Sequence, residues 1–216
     1  ATMCFGFIGG GCENTITRTS GNSCGAFIGG GIQNSIADNH FAVIVGGIEN
    51  TIDDLGLCSS IVGGCQNCIK RANNFIGREN CITGNCNVIG GGNANSIESN
   101  VTCATIAGGF TNLINAEKGA IGGGMNNKVC GSGNCGTVAG GVENCVASIA
   151  GFVGGGSSNS VAASAATIAG GVDNTASSKE SFIGGGTKNT VKTAHGCAAV
   201  VGTNINSVSG KLLHAN

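Results

Sequence analysis

Phe27 Ile28 Gly29 Gly30 Gly31 Ile32 Gln33 Asn34 Ser35 Ile36 is one copy of a pattern that recurs thirteen times between Ile8 and Val208. Each copy has an aliphatic residue, a small residue, two glycines, two variable positions, an asparagine, one more variable position and a second aliphatic. With the asparagine as origin, the copies fall at Asn14, Asn34, Asn50, Asn67, Asn80, Asn95, Asn112, Asn127, Asn144, Asn159, Asn174, Asn189 and Asn206. Spacings are mostly 15 or 17 residues, with outliers of 13, 16 and 20. Self-similarity at a fixed period means stacked supersecondary units, each closing its core only against its neighbours.

Six positions before the asparagine stand residues such as Ile8, Ile28, Ile44, Ile61, Ile106, Ile121 and Ile183, and two positions after it Ile16, Ile36, Ile52 through Val191 and Val208. Most are β-branched, which favours extended strands over helix. Each repeat therefore supplies two short strands joined by two turns. The chain reads as all-β: a parallel β-solenoid, a flattened β-roll of about 13 coils with a 15–17-residue repeat, forming one domain over residues 1–216 with the array spanning about 7–208. A left-handed hexapeptide helix would need an aliphatic at every sixth residue, and the phasing does not fit it.

Glycine stands four positions before the asparagine in twelve copies and three before it in twelve. Two such columns predict left-handed backbone or close approach of one backbone to another. The asparagine is expected to cap this turn with its amide and to stack on its equals in neighbouring coils. The variable residue just before it (Glu13, Gln33, Glu49, Gln66, Glu143, Lys188) is expected in solvent. The copy Asn74 Phe75 Ile76 Gly77 Arg78 Glu79 Asn80 lacks one glycine and one residue of register, which predicts a kink or bulge.

Position −5 holds only small or apolar residues, among them Gly29, Val45, Val62, Ala107, Ala139 and Ala169. Adjacent strand residues point to opposite faces, so these side chains lie opposite the interior isoleucines. A strand with apolar residues on both faces needs a second surface to pack on. The column therefore predicts side-by-side packing of several chains, with a homotrimer as the favoured arrangement.

Composition excludes other classes. The 216 residues include 42 glycines but no proline, tryptophan or tyrosine, and glycine is not at every third position, so this is not collagen. With 41% hydrophobic and 10% charged residues, the phased Ile and Val positions also argue against disorder. A formal net charge of −1, from ten basic and eleven acidic residues scattered singly, gives no footprint for nucleic acid or an acidic membrane. No run of 18 apolar residues could span a bilayer. Nothing predicts membrane insertion.

Copies such as Thr167 Ile168 Ala169 Gly170 Gly171 Val172 Asp173 Asn174 Thr175 Ala176 and Ser181 Phe182 Ile183 Gly184 Gly185 Gly186 Thr187 Lys188 Asn189 Thr190 Val191 resemble the YadA-like head repeats of trimeric autotransporter adhesins. They are also similar to the Gly/Asn-rich fibre arrays of bacterial surface proteins, phages and giant viruses. The resemblance runs from Phe7 to Val208 and implies a parallel β-roll that trimerises into a fibrous head with a role in surface attachment. The chain departs from the adhesin heads in its second glycine and its cysteines.

Those thirteen cysteines fall into columns. Cys58, Cys86, Cys103, Cys135 and Cys197 stand three before the first aliphatic, and Cys68, Cys81 and Cys145 directly follow the asparagine. Coils stack about 4.8 Å apart, within the Cα range of roughly 4.4–6.8 Å that a disulfide allows. Cys4 with Cys24, Cys68 with Cys81, and Cys86 with Cys103 are rung-to-rung candidates; small apolar thiols replacing Thr or Val are the other reading. Cys65 Gln66 Asn67 Cys68 has CxxC spacing but falls on ordinary repeat positions, and no second pair lies at zinc-finger distance. Gly131 Ser132 Gly133 Asn134 Cys135 Gly136 matches a dinucleotide fingerprint with no helix following, so it reads as a connector. His40, His195 and His214 have no placed nucleophile or carboxylate partner, and Asn100 Val101 Thr102 is a glycosylation sequon.

No catalytic, cofactor or metal constellation emerges. The chain is expected to be a non-catalytic fibre or filament protein of a cell or virion surface, its coils extending roughly 60 Å at about 4.8 Å each. Its principal partner is itself, as a homotrimer that can stack end to end. The alternative is an adhesin head in which connectors such as Thr17 to Phe27 read a host receptor or glycan. A threonine lattice for ice fails because Leu113, Lys128 and three cysteines break the column of Thr15, Thr51, Thr175 and Thr190.

Overall fold

The computed structural model describes residues 5–17, 25–37, 41–53, 59–70, 73–131, 134–192, 197–202, 204 and 207–208. Every described element is a strand, and none is a helix. Two compact units emerge, Ala1–Cys103 and Ala104–Asn216, and both are parallel β-solenoids.

In the first unit, one wall is built from Gly6–Ile8, Ala26–Ile28, Val43–Ile44, Ser60–Cys65, Asn73–Arg78 and Asn87–Ile89, each parallel to the next. The other wall is Thr15–Thr17, Ser35–Ala37, Thr51–Ile52, Cys68–Ile69, Cys81–Ile82 and Ser96–Ile97. The second unit repeats the scheme. Its first wall runs from Thr105–Ile106 to Ala199–Val200 and its second from Leu113–Ile114 to Ser207–Val208. Consecutive strands never pair with each other; each pairs with the next but one. One coil therefore contributes one strand to each wall.

Register explains the core. Ile28 pairs with Ile44 and Ile44 with Ile61, so identical side chains stack in rows between the walls. Ile28, Ile44, Ile106, Ile121 and Ile183 are all buried, as the periodicity predicts, and Glu13, Gln33, Glu49, Gln66, Glu143 and Lys188 are exposed. Stacking does the burying: Ile8, which has a described coil on one side only, remains 41% exposed. A small inward residue two positions before the first aliphatic completes the interior. At Gly119 an added Cβ would lie 2.8 Å from Ile114 Cγ2, and at Gly151 2.8 Å from Val146 Cγ1.

The turn beside the glycines is more ordered than a loop. Position −2 forms a third row of single bridges, such as Cys12↔Ile32↔Ile48↔Cys65 in the first unit and Phe110↔Met125↔Val142 in the second. Of the two glycine columns, −3 is the stricter, with φ of 93° at Gly11, 101° at Gly31 and 86° at Gly124. A Cβ at Gly31 would run into the Gly47 carbonyl oxygen of the next coil and lie 2.6 Å from Asn34 Nδ2. The −4 column is mixed: Gly30 has no left-handed φ and the nearest atom to a Cβ there is 3.9 Å away, whereas Gly10, Gly123, Gly155 and Gly185 have φ of 158°, 150°, 155° and 156°. Left-handed backbone also occurs at the non-glycines before the asparagine, such as Gln33 (φ 54°) and Glu49 (φ 56°), and in a second column containing Cys86, Cys103 and Cys135.

The bulge predicted at the Asn80 copy is present. Ile61 pairs with Phe75 but Gly64 with Gly77, so one residue of register is lost between them. Phe75 consequently takes the register position between Ile61 and Ile89 rather than the −5 column that its spacing from Asn80 indicates.

Candidate assembly surface and thiol rows

The first wall shows its outer face through positions −7 and −5. In Ala26–Ile28, the flanking Ala26 and Ile28 are buried while Phe27 is exposed. Alternation places Gly29 on the same side as Phe27. A Cβ at Gly29 or Gly154 would run into the carbonyl oxygen of Val45 or Ala169 in the next coil and would also lie 3.3 Å from Phe27 Cε1 or 3.4 Å from Phe152 Cε1; at Gly184 the nearest atom is Phe182 Cε1, at 3.4 Å. The ring of each phenylalanine thus lies over the glycine two residues on. Where −5 is Ala107, Ala139 or Ala169, the partner at −7 is Thr105, Thr137 or Thr167. This keeps the relief of the face low.

The six sequence-predicted packing residues stand on the outer face of the first wall of their own unit, Gly29, Val45 and Val62 in the first unit and Ala107, Ala139 and Ala169 in the second. Val45 is 52% and Val62 50% exposed, Ala107, Ala139 and Ala169 are exposed, and Gly29 is half-buried. No charged residue occurs at −7 or −5 in any copy. Phe7 and Phe27 stack on one another with ring centroids 5.5 Å apart. Contiguous exposed apolar surface of this kind marks an interaction site. The adjoining bridge row adds Ile32, Ile48, Phe110, Met125 and Val172, all exposed. That row was not recognised in the sequence because position −2 is apolar in only some copies and reads as variable.

Behind this face runs the asparagine ladder, one in each unit. Asn34 Nδ2 is within hydrogen-bond distance of Gly30 O (3.1 Å), Gly47 O (2.9 Å) and Asn14 Oδ1 (3.0 Å). The second unit repeats the arrangement at Asn159, with Gly155 O at 3.0 Å, Gly171 O at 2.9 Å and Asn144 Oδ1 at 3.0 Å. Outside the ladder, exposed side chains make a looser row, in which Gln33 Nε2 donates to Glu13 Oε2 and Gln66 Nε2 to Glu49 Oε2.

The second wall's outer face carries the thiols. Cys68 and Cys81 are direct Cα partners on neighbouring strands, both half-buried. A hydrogen bond from Cys68 lowers the Cys81 thiol to about 7, with Lys70 assisting against burial. The same bond, reinforced by burial, holds Cys68 well above its ordinary value. Cys130 and Cys145 have sulfurs 3.6 Å apart, a pair the repeat spacing does not reveal because they occupy different columns. Burial, then the neighbouring Cys130, pushes Cys145 up to about 11. Cys86 and Cys103 do share a column on adjacent coils, each following a member of the bridged pair Asn85↔Thr102, and both are exposed. These described cysteines are all free thiols. Cys4, Cys24 and Cys58 lie outside the described residues, as do His40, His195 and His214.

Cys65 belongs to the bridge row, paired with Ile48, while Cys68 lies on the second wall opposite Cys81, so the CxxC spacing is split between two surfaces. Among the described residues no group of three or more His, Cys, Asp or Glu side chains converges as a metal site would require. Gly131, Asn134 and Cys135 form a connector turn, with Gly131 N donating to Asn115 Oδ1 at 3.1 Å. No protein-family model matches the chain, and no curated protein matches it.

Proposed function

We propose that this chain is a non-catalytic structural protein that associates side by side with copies of itself, as a homotrimeric fibre or filament component of a cell or virion surface. The observation that carries this reading is the outer face of the first wall. No coil presents a charge there, whereas the outward position just before the asparagine carries Glu13, Glu49, Glu79, Glu143, Asp173 and Lys188. A soluble chain that left such a face bare would expose apolar rows along its length. Pairing phenylalanine with glycine, and threonine with alanine, keeps the surface smooth enough for neighbouring backbones to approach a common axis. The resemblance to trimeric head repeats supports the same stoichiometry.

Light scattering on the purified chain tests this. A mass of three chains at micromolar concentration is the expected result. A well-folded monomer would mean that the outer face needs no partner, and the proposal would be abandoned.

A further inference from the structure

We propose that Cys68 and Cys81 form an oxidisable dithiol, converted by a low-molecular-weight disulfide into an intrachain bond that staples two neighbouring coils of the first unit. This inference is independent of the assembly proposed above, because the pair lies on the second wall.

Geometry singles the pair out. Cys68 and Cys81 are directly opposite on parallel strands. Strands so paired lie about 4.8 Å apart, inside the roughly 4.4–6.8 Å Cα window of a disulfide. Both side chains point to the same outer face, because Ile69 and Ile82, which follow them, are both buried. Cys130 and Cys145 lack this arrangement despite their close sulfurs. Cys145 pairs with Lys128, two residues before Cys130, so the thiols are diagonal neighbours. Diagonal neighbours in a sheet are about 7–8 Å apart, which a disulfide cannot span without backbone movement.

The chemistry balances as thiol–disulfide exchange. The Cys81 thiolate attacks one sulfur of the small disulfide, forming a mixed disulfide and expelling one small thiolate. Cys68 gives its proton to that thiolate, and its sulfur attacks the Cys81 sulfur, expelling the second. Two protein thiols are oxidised, and one small disulfide is reduced to two thiols. The lowered Cys81 makes it the attacking group, and Cys68, which keeps its proton until the second step, is the resolving one.

The test uses the full chain, reduced, freed of reductant and exposed to glutathione disulfide at about pH 7.5, a pH at which a thiol of lowered pKa is mostly thiolate. Aliquots are alkylated, digested and sequenced by tandem mass spectrometry. Cys145 is the internal control, since it occupies the same column and is also half-buried. Weighing thiolate fraction against the lower nucleophilicity of a more acidic thiol, Cys81 should form the mixed disulfide at least about tenfold faster than Cys145. A Cys68–Cys81 bond should follow. Serine already stands in this column at Ser35, Ser96 and Ser160, so Cys68→Ser and Cys81→Ser are conservative. Cys68→Ser should trap glutathione on Cys81, and Cys81→Ser should abolish the bond. The proposal is overturned if Cys81 reacts no faster than Cys145, or if glutathione stays on Cys81 in the unaltered chain with no bond to Cys68.

Discussion

Asn34 and Asn50 are joined by two hydrogen bonds to a single oxygen: the backbone N and the side-chain Nδ2 of Asn50 both donate to Asn34 Oδ1, at 3.2 and 3.0 Å. Asn50 Nδ2 also reaches Gly46 O in its own coil and Gly64 O in the next. One buried amide thus satisfies polar groups in three successive coils, which explains why the residue is repeated without exception.

Asn50→Ala should therefore cost more than a lost cap. It would leave the Gly46 carbonyl and the N–H of Asn67 without their side-chain partner, while the Gly64 carbonyl keeps its bond from Ile48 N. At about 1–3 kcal/mol for each unsatisfied buried group, a loss of about 2 kcal/mol or more is predicted, readable by urea denaturation. A loss below about 1 kcal/mol would mean that water replaces the amide.

Gly31→Ala and Gly30→Ala should differ sharply although the two residues are neighbours. Gly31 combines φ of 101° with the Gly47 carbonyl in the path of a Cβ, whereas at Gly30 a Cβ meets nothing nearer than 3.9 Å. Thermal unfolding should show a large loss for Gly31→Ala. For Gly30→Ala, with no steric obstacle, the change should stay within about 1 kcal/mol. Equal losses would place the glycine requirement elsewhere.

Val45→Asp and Val62→Asp, both at exposed side chains, should dissociate the proposed assembly, because an unpaired ion buried in a contact costs several kcal/mol. Lys188→Ala, on an exposed site, should leave the mass unchanged. Light scattering on all three variants, with circular dichroism to confirm folding, decides this. A Val45→Asp protein that keeps the parental mass would remove the first wall from the interface.

Ile106→Ala removes a fully buried side chain from the interior row between the walls. Substitutions of this kind cost about 2–5 kcal/mol. The exposed Glu143→Ala should stay within about 0.5 kcal/mol. Chemical denaturation measures both, and a comparable cost for the two would contradict the inward register.

Glu180 offers a pH test. Its carboxylate accepts a hydrogen bond from Cys197 at 3.3 Å and lies 3.2 Å from Lys179 Nζ. Together, Cys197 first, these lower its pKa from the ordinary 4.5. A carboxyl lowered on folding favours the folded state above its ordinary value, and that preference disappears as pH falls through the lowered one. In an NMR titration Glu180 should titrate below its ordinary 4.5, and Cys197→Ala should move it back toward that value. No movement would assign the effect to Lys179 alone.

Repetition made much of this protein legible in the sequence. The inward isoleucines, the outward glutamates and lysine, the uncharged −5 column and the stacked asparagines each recur at a fixed offset, so any one copy predicts the rest. Their physics lies within a coil: strand alternation and the need to satisfy a buried amide hold in every copy. What only the tertiary structure decided lies between coils. Cys68 opposite Cys81 follows from their shared column, but the approach of Cys130 to Cys145 does not, because the two stand at different offsets from the asparagine and only the packing of one coil on the next brings their sulfurs to 3.6 Å. Gly31 is required and Gly30 is not because the obstructing oxygen belongs to the next coil, at Gly47. Phe75 moves into the Ile61–Ile89 row because a 13-residue coil must still stack on its 15-residue neighbour, and the bulge absorbs the mismatch. Such contacts join residues some fifteen positions apart through connectors of unequal length, so they depend on how each coil settles on the next rather than on any local pattern.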